Sequence, residues 1–199
     1  MVSLDRVHVI GSWYMSFHGG YKPQPQAFIN YFKSHEMKPK RLFFLGNKAN
    51  DMKLATKLKR KLKCKVFKCL ILREGDHSLG KRHADQVVKN LWEVKQKIDK
   101  FKPDLVMSDF DNTLVKAGAE DLEATVERVH FWEFFNNYLI LRYLYGFFSQ
   151  LSIPFLRKKP YTAKYDHTES FLRTLKQTLV IHSMSPEGTI KLALRKILK

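Results

Sequence analysis

Asp109 and Asp111 stand two residues apart in Asp109-Phe-Asp-Asn-Thr-Leu-Val115, directly after the apolar run Leu105-Val-Met-Ser108. Side chains at i and i+2 of an extended chain point to the same side. At the end of a buried strand, such a pair can share one Mg2+ or divide the roles of nucleophile and acid. Spacing alone fits solvated loop acids equally well; the apolar strand before and the Thr-Leu-Val after favour chemistry. Other reactive side chains carry less pattern. Cys64 and Cys69 read as two reduced, inert thiols, since at most one disulfide is available and no second CxxC supplies a zinc spacing. His8 and His182 fall inside apolar runs and read as core or edge histidines. His18, His77, His83 and His167 show no metal-ligand spacing.

The elements that must position these acids are legible from short apolar runs. Arg6–Gly11, Arg41–Gly46, Lys65–Leu72, Asp104–Ser108 and Thr178–Ser183 are β-branched or aromatic and read as strands buried on both faces. Helical spacing is expected over Gln24–Ser34, Asn50–Leu62, Ala84–Phe101 and Gly188–Leu198. This alternation predicts an α/β, doubly wound parallel sheet, in which ligands bind outside the carboxyl ends of the strands. Residues 115–177 read as a strongly aromatic helical insertion. The expected division is residues 1–114 and 178–199 as core and 115–177 as insertion.

The pattern ending in Asp109-Phe-Asp-Asn-Thr-Leu-Val115 closely resembles the first motif of the haloacid dehalogenase (HAD) superfamily of phosphatases and phosphotransferases. That resemblance implies three further motifs. Thr178-Leu-Val-Ile-His-Ser183 fits the second, a strand ending in Ser or Thr. Lys22-Pro-Gln-Pro-Gln-Ala-Phe28 fits the third, a lysine followed by Pro-x-Pro-x-x-Phe. Leu42-Phe-Phe-Leu-Gly-Asn47-Lys-Ala-Asn-Asp51 fits the fourth, except that the family's first acid is Asn47 here. The order is third, fourth, first, second, which implies a circularly permuted HAD-like Rossmannoid core with a helical (C1-type) cap. The implied lateral strand order is Lys65–Leu72, Arg41–Gly46, Asp104–Ser108, Thr178–Ser183, Arg6–Gly11. The two halves pair within one chain or, alternatively, across a domain-swapped homodimer.

The resemblance further implies a phosphomonoester hydrolase acting through an aspartyl-phosphate. In it Asp109 is nucleophile, Asp111 is acid and base, and Ser183 and Lys22 contact the phosphoryl group. Mg2+ is held by Asp109, Asp111 (through its backbone carbonyl), Asp51 and Asn47, and Thr113 braces the loop. Asn47 removes one negative charge, so weaker metal affinity is expected. Bland readings stand beside these: Lys22 as a solvated loop lysine, Ser183 as a helix cap.

The chain has 199 residues and a net charge of +17. Its 44% hydrophobic content excludes a disordered basic tail, and its length suits one domain. The surplus attracts polyanions and anionic membranes in general. The first residues lack an uninterrupted apolar run, so a signal peptide is not expected, and a cytoplasmic location, peripheral to membrane in one reading, is. The apolar stretch 131–156, followed by Arg157-Lys-Lys159, offers a rim for a lipid-linked phosphate, although Glu133, Arg142 and Pro154 argue against a membrane span. The alternative function is a HAD-like binding module with weakened catalysis, using its basic and aromatic surface for membrane or nucleic acid.

Overall fold

The computed structural model describes residues 6–73, 77–116, 140, 143, 144, 147 and 163–198. Strands β1 (Val7–Ile10), β2 (Arg41–Gly46), β3 (Lys65–Ile71), β4 (Gln86–Val88), β5 (Leu105–Asp109) and β8 (Thr178–His182) form one parallel sheet in the order β1-β8-β5-β2-β3-β4. The short strands β6 (Val115–Lys116) and β7 (Ala163–Lys164) form a separate antiparallel pair. The inner strands are buried almost end to end, as expected of a parallel sheet covered on both faces.

Alternation along β2 shows how the two faces are built. Leu42 and Phe44 join one core cluster, and Phe43 and Leu45 the other. The first cluster lies beneath α1 (Ser12–His18), α2 (Gln26–Ser34) and α3 (Ala49–Leu62), which contribute Met15, Phe28, Phe32, Met52 and Leu58. The second lies beneath α5 (Leu91–Phe101), α6 (Thr168–Thr174) and α7 (Glu187–Ile197), which contribute Val94, Ile98, Phe171, Leu172, Ile190 and Leu194. A single turn, α4 (Ser78–Lys81), precedes β4. The polar side of α3 is basic, with Lys53, Lys59, Arg60 and Lys61 exposed.

Five strands stand in the lateral order expected from the sequence. β4 is a correction: the helix expected over Ala84–Phe101 begins only at Leu91. Gln86–Val88 instead pair with Cys69–Ile71, so Val87 and Val88 extend the sheet beyond β3. The helix start is fixed by reciprocal caps. Asn90 Oδ1 accepts from the Glu93 N–H at 2.9 Å, and Glu93 Oε2 accepts from the Lys89 N–H at 3.2 Å. The helix α1 was not expected, because Ser-Trp-Tyr-Met-Ser-Phe-His has weak intrinsic helix preference; Met15, wholly buried beneath it, supplies the packing that holds it.

The stretch expected to form a helical cap lies mostly outside the described residues. α6 falls within the 115–177 stretch, and its Phe171 and Leu172 pack with the sheet core. Both cysteines are free, and burial pushes the Cys69 thiol up to about 12, which makes it unreactive. Among the described residues no helix is long and apolar enough to cross a membrane.

Packing predicts a sharp contrast on α5. Ile98→Ala empties a fully buried position and should cost about 2–5 kcal/mol in a denaturant melt. Trp92→Ala, at a site 61% exposed, should stay within about 0.5 kcal/mol of wild type.

Candidate active site

Four segments far apart in sequence meet beyond the carboxyl ends of β2, β5 and β8. Asp109 is the last residue of β5, and Asp111 follows it in the turn. Between them Phe110 is buried in the core cluster under α5 to α7, so the alternation that the sequence implied is realised. The turn closes with the Thr113, Leu114 and Val115 N–H groups all donating to the Phe110 carbonyl, at 2.9 to 3.2 Å. Thr113 Oγ1 donates to Asp109 Oδ2 at 3.0 Å.

Lys22 arrives from the loop between α1 and α2. Gly19 turns that loop at φ +127°, and a Cβ there would lie 2.5 Å from Gln26 Cβ, so only glycine fits. Tyr21, fully buried, anchors the residue beside it. Lys22 is itself buried, and its Nζ donates to Asp109 Oδ1 at 2.7 Å and to Asp51 Oδ1 at 2.9 Å. The reading of Lys22 as a solvated lysine is thereby excluded.

Asp51 lies in the first turn of α3 and is fully buried. Its Oδ2 accepts from the N–H groups of Asn47 (3.2 Å) and Lys48 (3.1 Å), which caps the helix. Gly46 makes this possible, since a Cβ at that position would stand 2.4 Å from Asp51 Cβ. Asn47 is buried and its Oδ1 has no hydrogen-bond partner among the described residues. Its backbone carbonyl sits 3.0 Å from His77 Nδ1.

Ser183 follows β8. Its hydroxyl donates to Asp111 Oδ2, and Ser185 Oγ donates to the same oxygen at 3.0 Å. Ser183 Oγ also accepts from the Ser185 N–H at 2.8 Å. The N-cap position of α7 belongs to Pro186, so Ser183 is not the cap of that helix.

The structure thus brings Lys22, Asn47, Asp51, Asp109, Asp111, Thr113 and Ser183 together. Three residues were missed. Ser185 shares Asp111 with Ser183. Arg73, just past β3, donates to the Thr113 carbonyl at 2.9 Å and stacks on Tyr165 at 3.7 Å; its place after a strand end was the available signal. His182 was read as a satisfied histidine, and this is corrected. It is wholly buried, neither ring nitrogen has a hydrogen-bond partner among the described residues, and Nδ1 lies 3.8 Å from Asp109 Oδ1. One ligand atom each of Asp51, Asp109 and His182 lie within 4.8 Å of one another.

Burial governs the electrostatics. Loss of solvent, opposed by Lys22 but reinforced by the charges of Asp51 and Asp111, pushes the Asp109 carboxyl up to about 7. Burial would raise Asp51 too, but Lys22, with His182 and Lys48 adding to it, holds that carboxyl below its ordinary value. Burial, then the Lys22 charge, pushes His182 down to about 3, so its imidazole is neutral. The two carboxylates of Asp51 and Asp109 and the neutral imidazole of His182 form a buried cluster that could hold a metal ion.

A scan against protein-family models finds no match, and searches of curated proteins and of solved structures return none either. The site therefore rests on its own geometry.

Lys22 is what keeps two carboxylates tolerable in one dry pocket. Lys22→Met should destabilise the metal-free protein by about 3–5 kcal/mol at pH 8. The loss should shrink as pH falls towards 5. Asp109, whose carboxyl is already raised to about 7, is charged above that pH and neutral well below it, so its penalty is largest at high pH. Thermal melts in chelator across this range measure the effect; a pH-independent loss would refute the charge argument.

Proposed function

We propose that the chain is a metal-dependent phosphomonoester hydrolase of HAD-like type, with its motifs in circularly permuted order and a cap in the 115–177 stretch. The observation that carries this reading is the buried cluster in which Lys22 joins Asp51 to Asp109 while Ser183 holds Asp111, two residues on. Lys22 and Asp109, 87 residues apart, are in direct contact. The lateral strand order implied by the permuted motifs, matched by five strands, supports it further.

In the proposed reaction an oxygen of Asp109 attacks phosphorus, the P–O bond to the leaving group breaks, and Asp111 protonates the departing oxygen. Asp111, now a carboxylate, takes a proton from a water that attacks the aspartyl-phosphate. Inorganic phosphate leaves and Asp109 is restored. Thr113 and Lys22 hold Asp109 by one oxygen each, and the Ser183 and Ser185 hydroxyls orient Asp111. Lys22 also supplies positive charge for the phosphoryl oxygens. Asp109, Asp51 and Asn47 would hold the cation, Mg2+ in the resemblance, together with the Asp111 carbonyl; bound there it would neutralise carboxylate and phosphoryl charge.

A panel of phosphomonoesters, beginning with p-nitrophenyl phosphate and assayed with and without Mg2+, tests the reading. Asp109→Asn should lower turnover by roughly 10^3-fold or more. Wild type as inert as the variant across the panel would overturn the enzyme and leave the binding module, for which liposome and polynucleotide binding at two salt concentrations is the measurement. Asn47→Asp, by restoring a carboxylate, should lower the Mg2+ concentration giving half-maximal activity; an unchanged requirement would remove position 47 from the metal's surroundings.

A further inference from the structure

We propose that His182 is a nitrogen ligand of the cation held by Asp51 and Asp109, so that this centre selects first-row transition ions over Mg2+. The inference rests on the reading of the pocket as a metal-dependent site, but not on the phosphatase reaction.

The starting observation is an imidazole that the fold leaves unsatisfied. His182 is fully buried at the end of β8, with Phe28 at 5.6 Å and Phe44 at 5.2 Å between ring centroids. Neither of its nitrogens has a hydrogen-bond partner among the described residues. Leaving a buried polar group unpaired costs about 1–3 kcal/mol. A leucine or phenylalanine would fill an aromatic-lined position without that cost. The polar ring therefore needs a partner, and the direction of Nδ1 suggests one. It lies 3.8 Å from Asp109 Oδ1, too far for a hydrogen bond. Two ligands each about 2.1 Å from one ion stand no more than about 4.2 Å apart, and 3.8 Å falls inside that limit. Asp51 completes a set spanning 4.8 Å, which a contraction of about half an ångström would close on one ion.

Ligand type then decides which ion. Mg2+ takes hard oxygen donors and keeps its waters, whereas imidazole suits later first-row ions, with affinity rising from Mn2+ towards Cu2+. Asn47 acts in the same direction. Where the resemblance has a carboxylate, it offers a neutral donor, which lowers the purely ionic attraction that Mg2+ depends on. The set becomes two carboxylates and a nitrogen, closer to a transition-metal centre than to an all-oxygen Mg2+ cage.

The test uses the full chain stripped by chelator, with Co2+ and Mg2+ titrated separately by calorimetry and Co2+ also by its visible absorption. Co2+ should bind one site at least about 100-fold more tightly than Mg2+. His182→Phe, isosteric and apolar, should weaken Co2+ at least about 100-fold, the range in which even outer-shell partners of a metal act, and change Mg2+ affinity less than about threefold. Should that variant fail to fold, the readout moves to wild type, where pulsed EPR of bound Mn2+ should show nitrogen hyperfine coupling. Equal affinities for Co2+ and Mg2+, an unaffected folded variant, or no nitrogen coupling would each overturn the proposal. The phosphatase reading fails separately. Mg2+-dependent turnover without nitrogen coupling removes only His182, while nitrogen coupling in a protein inert towards every phosphomonoester keeps this metal centre and removes the phosphatase.

Discussion

The buried contact of the Lys22 ammonium with both Asp51 and Asp109 is the interaction on which the rest of the site depends. A carboxylate stripped of water is held in its charged form only by a nearby cation or by donated hydrogen bonds. Here the cation is shared, and it joins three parts of the chain: the loop before α2, the first turn of α3 and the end of β5. Asp51 has help from two backbone N–H groups and stays below its ordinary pKa. Asp109 accepts from Thr113 as well as from the lysine, but burial drives it up. One cation between two acids thus divides them into a structural carboxylate and a strained one, and the strained one sits where the proposed chemistry needs a nucleophile.

That contact constrains the backbone around it. Asp51 must cap α3 and face Lys22 with opposite oxygens, which demands that β2 end in a residue without a side chain; Gly46 is that residue. Lys22 must reach the sheet end from a tight loop, which Gly19 turns at positive φ. The parallel sheet supplies the rest, because its strands all present their carboxyl ends to one edge of the molecule. β5 lies between β2 and β8, so Asp109 falls centrally between Asp51 and Ser183. Had the strands run antiparallel, the same residues would have been split between two edges.

Much of this was legible before the structure, and the parts that were not have physical reasons. Buried parallel strands are continuous apolar runs, so five of six could be placed, and the carboxyl-end rule then pointed to the residues after them. β4 was hidden because Val87 and Val88 also fit a helical face; only the free edge of β3 and the Asn90–Glu93 cap decide between the two. α1 was hidden because tertiary packing around Met15 outweighs its weak local preference. His182 was misread for a different reason. A histidine at the end of an apolar strand looks the same in sequence whether or not its nitrogens find partners, and satisfaction is a property of the assembled pocket. Ser185 and Arg73 likewise gain meaning only from what they touch, the Asp111 carboxylate and the Thr113 carbonyl.

Charge ties the pocket to the whole molecule. Asp51, Asp109 and Asp111 against Lys22 give the pocket a formal −3 + 1 = −2, inside a protein of net charge +17. The outer surplus draws anions towards the surface at long range, but a phosphoryl group entering the pocket itself would meet net repulsion. The raised Asp109 carboxyl owes most to burial, with the charges of Asp51 and Asp111 adding to it. One divalent cation would bring that formal sum to zero, and in the proposed reaction the proton that Asp111 carries while the phosphoryl dianion is bound would remove a further negative charge. An aspartate at position 47 would make the sum −3, favouring the cation but leaving a residual negative charge towards the phosphate. Asn47 therefore sets the balance at neutrality with one ion bound. A carboxylate at position 47 would tighten the ionic grip on a cation at the cost of repelling the phosphate, whereas in the proposed metal centre the buried imidazole of His182 would add a donor without adding charge.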